Sequence, residues 1–385
     1  VQAVHGLDLE AHDGVDLKGD MYEYLLSRLS MSGTNGQFRT PRHIIALIVA
    51  LVDPKPGLRV CDPAAGTAGF LIAAYNHILT KHTSKGDLAR GQVTGNRLSP
   101  AQWKFLEEQA FTGYDNDANM VKIAILNLYL HRLEKAHVEF HNPLTTGKGA
   151  GYPGLTFDVI LANPPFAGKV QAESILSDLN HGLNTRATEL LFLKWFLDHL
   201  APGGRAGVIV PNGVLFGSTN AARKVRELLL TECDLQAVIN LPSGVFKPYS
   251  GVGTAALIFE KPAAARLAAV RRTAGDPAAA ATQSVWFYDL TADGFTLSDT
   301  RTPIEENDIP DVLAKWPARE EGPKSFRVPM HEIAAHDHIL LPSRYRPQIV
   351  APVDHDPPQR VLDDVLRLEA KIVEKAADLR KLIHS

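Results

Sequence analysis

The chain has 385 residues, 45% hydrophobic and 22% charged, a composition that supports a sizeable core and excludes a largely disordered protein. At ~150 residues per domain the length points to two or three domains. The net charge is −3, from 40 Lys and Arg against 43 Asp and Glu, unlike a free-standing DNA binder, so any nucleic-acid contact must use a local basic patch or a partner's charge. No apolar run reaches the ~18 residues that a membrane helix needs. The first residues, Val1 to His5, lack a signal pattern and an initiating Met, as expected of a trimmed chain or fragment. The two cysteines, Cys61 and Cys233, exclude a disulfide scaffold or a Cys-rich zinc module and point to the reducing cytoplasm.

Residues 1–57 read as mainly helical. Apolar residues recur at helical spacing over 21–29 and 42–52, with Ser32 to Gly36 a loop between them. After the break at Pro54–Gly57 the pattern alternates. Strands are expected at 58–61, 111–114, 157–162, 205–210, 235–241 and 254–259. Helices are expected at 70–80, 118–133, 189–200 and 221–231. Such alternation argues for a mainly parallel sheet wrapped by helices. An Ala-rich surface connector follows at 263–281, then a mixed tail with a strand at 285–288. After Pro357-Pro358, residues 359–383 read as one helix. Val365, Ile372 and Leu379 repeat every seven residues beside a second row of Leu362, Ala376 and Ile383, interrupted by Glu369, and suggest an intersubunit seam. The expected divisions are a helical segment at 1–57, a catalytic domain at 58–262, a mixed extension at 263–356 and the heptad helix at 357–385.

Four motifs carry chemistry. Asp62-Pro63-Ala64-Ala65-Gly66-Thr67-Ala68-Gly69 links a strand to a helix. Its small residues let the backbone approach a ligand, although an ordinary tight turn explains them equally well, and it lacks the dinucleotide G-x-G-x-x-G pattern. Gly113-Tyr114-Asp115-Asn116-Asp117 ends the next strand, where an acid can accept two ribose hydroxyls; Asp117 alone reads as a helix N-cap. Asn163-Pro164-Pro165-Phe166 ends the strand FDVILA. Its prolines remove two donors. The Asn163 amide oxygen and the Pro164 carbonyl can accept from an exocyclic amino group, and Phe166 can stack on a planar ring, as a base-modifying pocket requires. Gln37-Phe38-Arg39-Thr40-Pro41 reads locally as a helix start, with Thr40 as N-cap and Pro41 at the first helical position. Their conjunction at successive strand ends, where open α/β sheets bind ligands, is more telling than any one motif.

Together these motifs resemble the modification (M) subunit of type I restriction–modification systems, a gamma-type N6-adenine DNA methyltransferase. The resemblance runs from about Asp16 to the last helix. It includes Asp16 to Asp20, Gly36 to Arg42, Asp62 to Phe70, Asn163 to Phe166, Pro202 to Arg205, Val210 to Gly213 and Leu241 to Phe246, with Phe-Arg-Thr-Pro ahead of the glycine loop and Asn-Pro-Pro-Phe behind it. It implies a doubly wound, Rossmann-like α/β domain dependent on S-adenosylmethionine. The cofactor would lie over Asp62, Ala64, Gly66, Thr67 and Gly69, with Phe38, Thr40 and Pro41 on its methionine side and Asp115 on its ribose. Asn163 and Pro164 would hold the target adenine N6, Pro165 would stiffen the loop, and Phe166 would stack on the flipped base. No metal is implied.

The sequence departs from the family at three places. Arg39 replaces a frequent aromatic residue. Ala65 and Ala68 stand where Cys and Gly are frequent. Asn142 stands where an acid would meet the cofactor's adenine, so a weaker contact through its amide oxygen is expected. The family's helical N-terminal domain is expected to be truncated or absent. The implied partners are DNA, a specificity (S) subunit, a second M subunit and a restriction (R) subunit. Two alternatives stay open: methylation of a protein glutamine or other planar amide, and a non-catalytic cofactor-binding scaffold. Arg223, Lys224 and Arg226 read as a solvated helix face rather than a phosphate site.

Overall fold

The computed structural model describes residues 40–145, 155–166, 168–266, 280–346 and 358–383. The helix expected at 21–29, the loop at 32–36, Phe38 and Arg39 lie outside the described residues, as does most of the Ala-rich connector. The chain divides into two compact units, 1–345 and 346–385.

In the first unit, α1 (Arg42–Val52) leads to β1 (Val60–Asp62) and α2 (Gly69–Lys81). Then come α3 (Pro100–Glu108), β2 (Phe111–Asp115), α4 (Ala118–Leu130), β3 (His137–Phe140) and β4 (Phe157–Ala162). The chain continues through α5 (Thr188–His199), β5 (Leu200–Pro211), α6 (Asn220–Glu232), β6 (Asp234–Leu241) and β7 (Thr254–Glu260). It ends with β8 (Ser284–Asp289), β9 (Asp293–Phe295), β10 (Pro303–Asn307), α7 (Ile309–Lys315) and β11 (Ser325–Pro329). Nine strands form one sheet in the order β11-β8-β6-β7-β5-β4-β1-β2-β3, and β9 pairs with β10 separately.

Side chains alternate across each strand, and the buried residues accordingly separate into two clusters. Val208, Val210, Leu257 and Phe259 join α5 and α6 in one. Ile209, Ala256 and Ile258 join α1, α2 and part of α4 in the other. The sheet is therefore covered on both faces, which is why FDVILA is apolar almost throughout.

α1 lies unusually close to the sheet. A Cβ on Gly207 of β5 would sit 2.6 Å from the side chains of both Ile48 and Val52, so only glycine admits the helix there. The free carbonyls at its C-terminus receive donors from elsewhere. Arg205 donates to Val52 and Leu51 at 2.6 and 3.2 Å, and the Trp316 indole donates to Leu51 at 3.1 Å.

The sheet is mainly parallel, as the alternation predicts, with β7 antiparallel between β5 and β6 and β11 antiparallel at the edge beside β8. The structure corrects the sequence reading in three places. α4 stops at Leu130, where Arg132 turns left-handed (φ 65°) and the Leu133 N–H closes on the Leu128 carbonyl, a helix-ending device. β5 begins at Leu200, five residues early. α1 begins at Arg42 with Pro41 as its cap residue, and Thr40 caps nothing. At Pro41 the backbone is still extended (ψ 138°).

Among the described residues, the second unit holds one helix, α8 (Pro358–Ile383), about 39 Å long at 1.5 Å per residue.

Candidate active site

β1, β2, β4 and β5 run parallel, so their following loops share the carboxyl edge of the sheet. The first loop is built around carboxyl groups. The Ala65 N–H donates to the Tyr114 carbonyl at 2.8 Å, and the Gly66 N–H donates to Asp115 Oδ2 at 2.9 Å. Asp115 Oδ1 accepts from the Asp117 N–H at 2.9 Å. Asp117 itself caps α4 by accepting from the Asn119 N–H. Asp62 Oδ1 accepts from the Ala64 N–H at 3.1 Å. The Asn127 amide, from inside α4, donates to the Thr67 carbonyl at 2.7 Å.

Two residues of this loop turn left-handed, Gly66 (φ 52°) and Ala68 (φ 63°). For Ala68 that conformation costs roughly 1–2 kcal/mol, which gives a physical reason for the glycine frequent there in the family. Above Gly66 there is room: a Cβ would meet nothing nearer than 4.0 Å. Burial, reinforced by the Asp115 charge, pushes the Asp62 carboxyl up to about 8 despite its Ala64 hydrogen bond. Burial likewise raises Asp115, against the lowering effect of the Asp117 and Gly66 N–H groups. A cation placed beside either carboxyl would favour its ionised form.

The second half of the site follows β4. Asn163 Nδ2 donates to Thr40 Oγ1 at 2.8 Å, across 123 positions of sequence. In this arrangement the amide nitrogen faces Thr40. The amide oxygen, Oδ1, is buried and has no partner among the described residues. A buried acceptor left unmade costs about 1–3 kcal/mol, a strain that a functional role would explain. Pro164 is buried, Pro165 exposed and Phe166 half-buried. Phe166 meets Phe246 edge-on, with ring centroids 5.7 Å apart and planes at 86°. Asn142 turns its amide oxygen to the Leu144 N–H at 3.1 Å, so the oxygen expected to reach an adenine amino group is already engaged by its own turn.

A model of the family described as N-6 DNA Methylase matches residues 13–351. The chain belongs to that family. It is 29% identical, over its whole length and 72% of the relative's, to the EcoEI methylase subunit of a type I restriction enzyme from Escherichia coli. It is 30% identical over 85% of its length to the EcoKI methylase subunit of Escherichia coli K12, of which it spans 61%. A solved chain from a study of type I R-M system assembly and conformational transition aligns with 98% of this one. It does so at a TM-score of 0.66 and 28% identity, over 73% of its own length. The crystal structure of the EcoKI M protein aligns over 71% of the chain and 52% of its own, at a TM-score of 0.54 and 28% identity. The doubly wound α/β fold expected from the sequence is thus that of the family's M subunits. No helix among the described residues is long and apolar enough to cross a membrane.

Within this N-6 methylase fold, the structure brings Thr40 to Asn163 and Gly66 to Asp115. The sequence reading did not single out Asn127, a polar residue on the buried stripe of an apolar helix, although that position was its signal. It quoted the segment of Phe246 without giving that ring a place.

Proposed function

We propose that the chain is the methylation subunit of a type I restriction–modification system, transferring a methyl group from S-adenosylmethionine to N6 of adenine in DNA. A separate specificity subunit would choose the DNA sequence, acting with a second M subunit and, where present, a restriction subunit. The observation that carries this reading is the Asn163 amide, its nitrogen bonded to Thr40 and its buried oxygen without a partner among the described residues. An adenine amino group has two hydrogens to give. One would go to Asn163 Oδ1 and the other to the Pro164 carbonyl.

S-adenosylmethionine, when bound, supplies a methyl group already activated on a positive sulfur. The residues around it fit such a molecule: open space over Gly66 and, in Asp62 and Asp115, two carboxyls whose ionised form a cation would favour. The 62–69 loop, with Asp62, would lie under the cofactor, Asp115 would take the ribose hydroxyls, and Thr40 and Pro41 would line its methionine side. Asn163 and Pro164 polarise both N–H bonds of the substrate amine. Its lone pair is thereby kept available as the new N–C bond forms and the methyl–sulfur bond breaks. The C–S electron pair stays on sulfur as a neutral thioether, and the surplus proton on N6 passes to solvent water. Phe166, braced by Phe246, would take the face of the extruded ring, offsetting part of the unstacking cost.

The test is Asn163→Ala. Methyl transfer to DNA should fall by at least ~100-fold, as when a positioned polar group is removed from a reacting centre. S-adenosylmethionine affinity should stay near wild type. Retained transfer would overturn the role given to Asn163.

A further inference from the structure

The β9–β10 hairpin carries a buried ion cluster whose two ends lead to opposite sides of the candidate site. The Asp293 side chain is fully buried. Its Oδ2 accepts from His43 Nε2 at 2.8 Å and also from Arg301 Nη2. Burial alone would raise this carboxyl, but the His43 and Arg301 donors hold it below its usual range. The His43 ring stacks on Phe295 at 4.6 Å, and the Arg301 guanidinium sits 5.7 Å from that same ring.

The first arm runs through α1. His43 stands in the first turn of that helix, three residues after Thr40, whose hydroxyl accepts from the Asn163 amide. The second arm runs through the loop after β6. Arg301 Nη1 donates to the Gly244 carbonyl at 3.0 Å. Gly244 is left-handed (φ 100°), and a Cβ on it would lie 3.0 Å from the Leu297 carbonyl, so the hairpin tip presses directly on that loop. Two residues on is Phe246, edge-on to Phe166.

We infer that Asp293 is a positioning residue: with His43 and Arg301 it fixes the spacing between the Asn163 amide and the Phe166 ring. The hairpin thereby sets the width of the base site without touching the base. This inference rests on the function proposed above.

The experiment uses the full chain assembled with its specificity subunit on two duplexes. One has 2-aminopurine in place of the target adenine, whose fluorescence rises on leaving the stack. The other has adenine there, and methylation is measured on it, because 2-aminopurine has no 6-amino group to accept a methyl. Asp293→Asn removes the charge. Arg301→Lys keeps the charge but cannot hold Asp293 and Gly244 at once, because an ammonium lacks the planar fork. Both should lower the fluorescence rise and slow single-turnover methylation by roughly 10–100-fold, the scale of a misplaced reacting group. S-adenosylmethionine affinity should fall much less than the rate, since of the residues given to the cofactor only Thr40 and Pro41 lie on an arm of the cluster and the 62–69 loop does not. Wild-type fluorescence and rate in Arg301→Lys would overturn the inference. So would a fall in rate matched by equal losses of cofactor affinity and melting temperature, which marks general loosening. A wild-type complex that neither extrudes nor methylates the base would instead overturn the functional reading beneath it.

Discussion

Asp62 and Asp115 end neighbouring strands, and burial makes both reluctant to ionise. With its pKa near 8, the Asp62 carboxyl is mostly protonated at neutral pH in the free protein. A cation arriving beside it favours the ionised form, so binding should expel a proton. The sign follows from the raised value. Affinity for S-adenosylmethionine should strengthen as pH rises from about 6 to 7, approaching tenfold per pH unit for one full proton released. Calorimetry in two buffers of different ionisation enthalpy reads that proton directly. Asp62→Asn should flatten the pH dependence and remove the buffer effect; a wild type already free of buffer effect would refute the assignment. The same shift predicts that the fold loses stability as pH climbs from the ordinary carboxylate range through 8, since ionising Asp62 in place is costly.

Between elements, α1 and β5 approach closely at Gly207. Adding one methyl at Gly207 places it within 2.6 Å of both Ile48 and Val52, branched side chains with little freedom to yield. Gly207→Ala should cost about 1–3 kcal/mol, read as a lower midpoint in urea. Because α1 also leads from Thr40, the Asn163–Thr40 bond should loosen with it. An unchanged midpoint would mean that the helix can slide on the sheet.

Elements of this kind were legible before the structure. α1 spans the expected residues 42–52, and FDVILA is β4 to the residue, because apolar spacing reports burial directly. Arg226 was misread. It looked solvated beside Arg223 and Lys224, yet it is buried and donates to the carbonyls of Val214, Gly217, His338 and Asp337. The signal was present, for Arg226 lies four residues from both Ala222 and Leu230 on the buried stripe of α6. Charge type outweighed position in that reading. The hairpin clamp had no comparable signal: His43 and Asp293 meet across 250 residues, and neither stands in a pattern that names the other.

At the scale of the whole chain, α8 carries apolar side chains that are exposed among the described residues. Leu362, Val365, Leu366, Leu368, Ile372 and Val373 are all exposed. Burying such side chains contributes about 1.5–3 kcal/mol each, or roughly 9–18 kcal/mol gross for six. Association costs about 4–15 kcal/mol before any surplus appears. On that arithmetic the helix alone can decide whether a subunit complex holds. Val365 and Ile372 are seven residues apart, and Leu362, Leu366 and Val373 follow at spacings of three, four or seven, which suits a partner helix better than a flat surface. Removing residues 358–385 should therefore abolish co-elution with the specificity subunit on gel filtration. S-adenosylmethionine binding should stay near wild type, because the loops after β1 and β2 lie wholly in the first unit. A truncated chain that still co-elutes would move the partner surface elsewhere, and one that loses cofactor as well would show that the two units depend on each other.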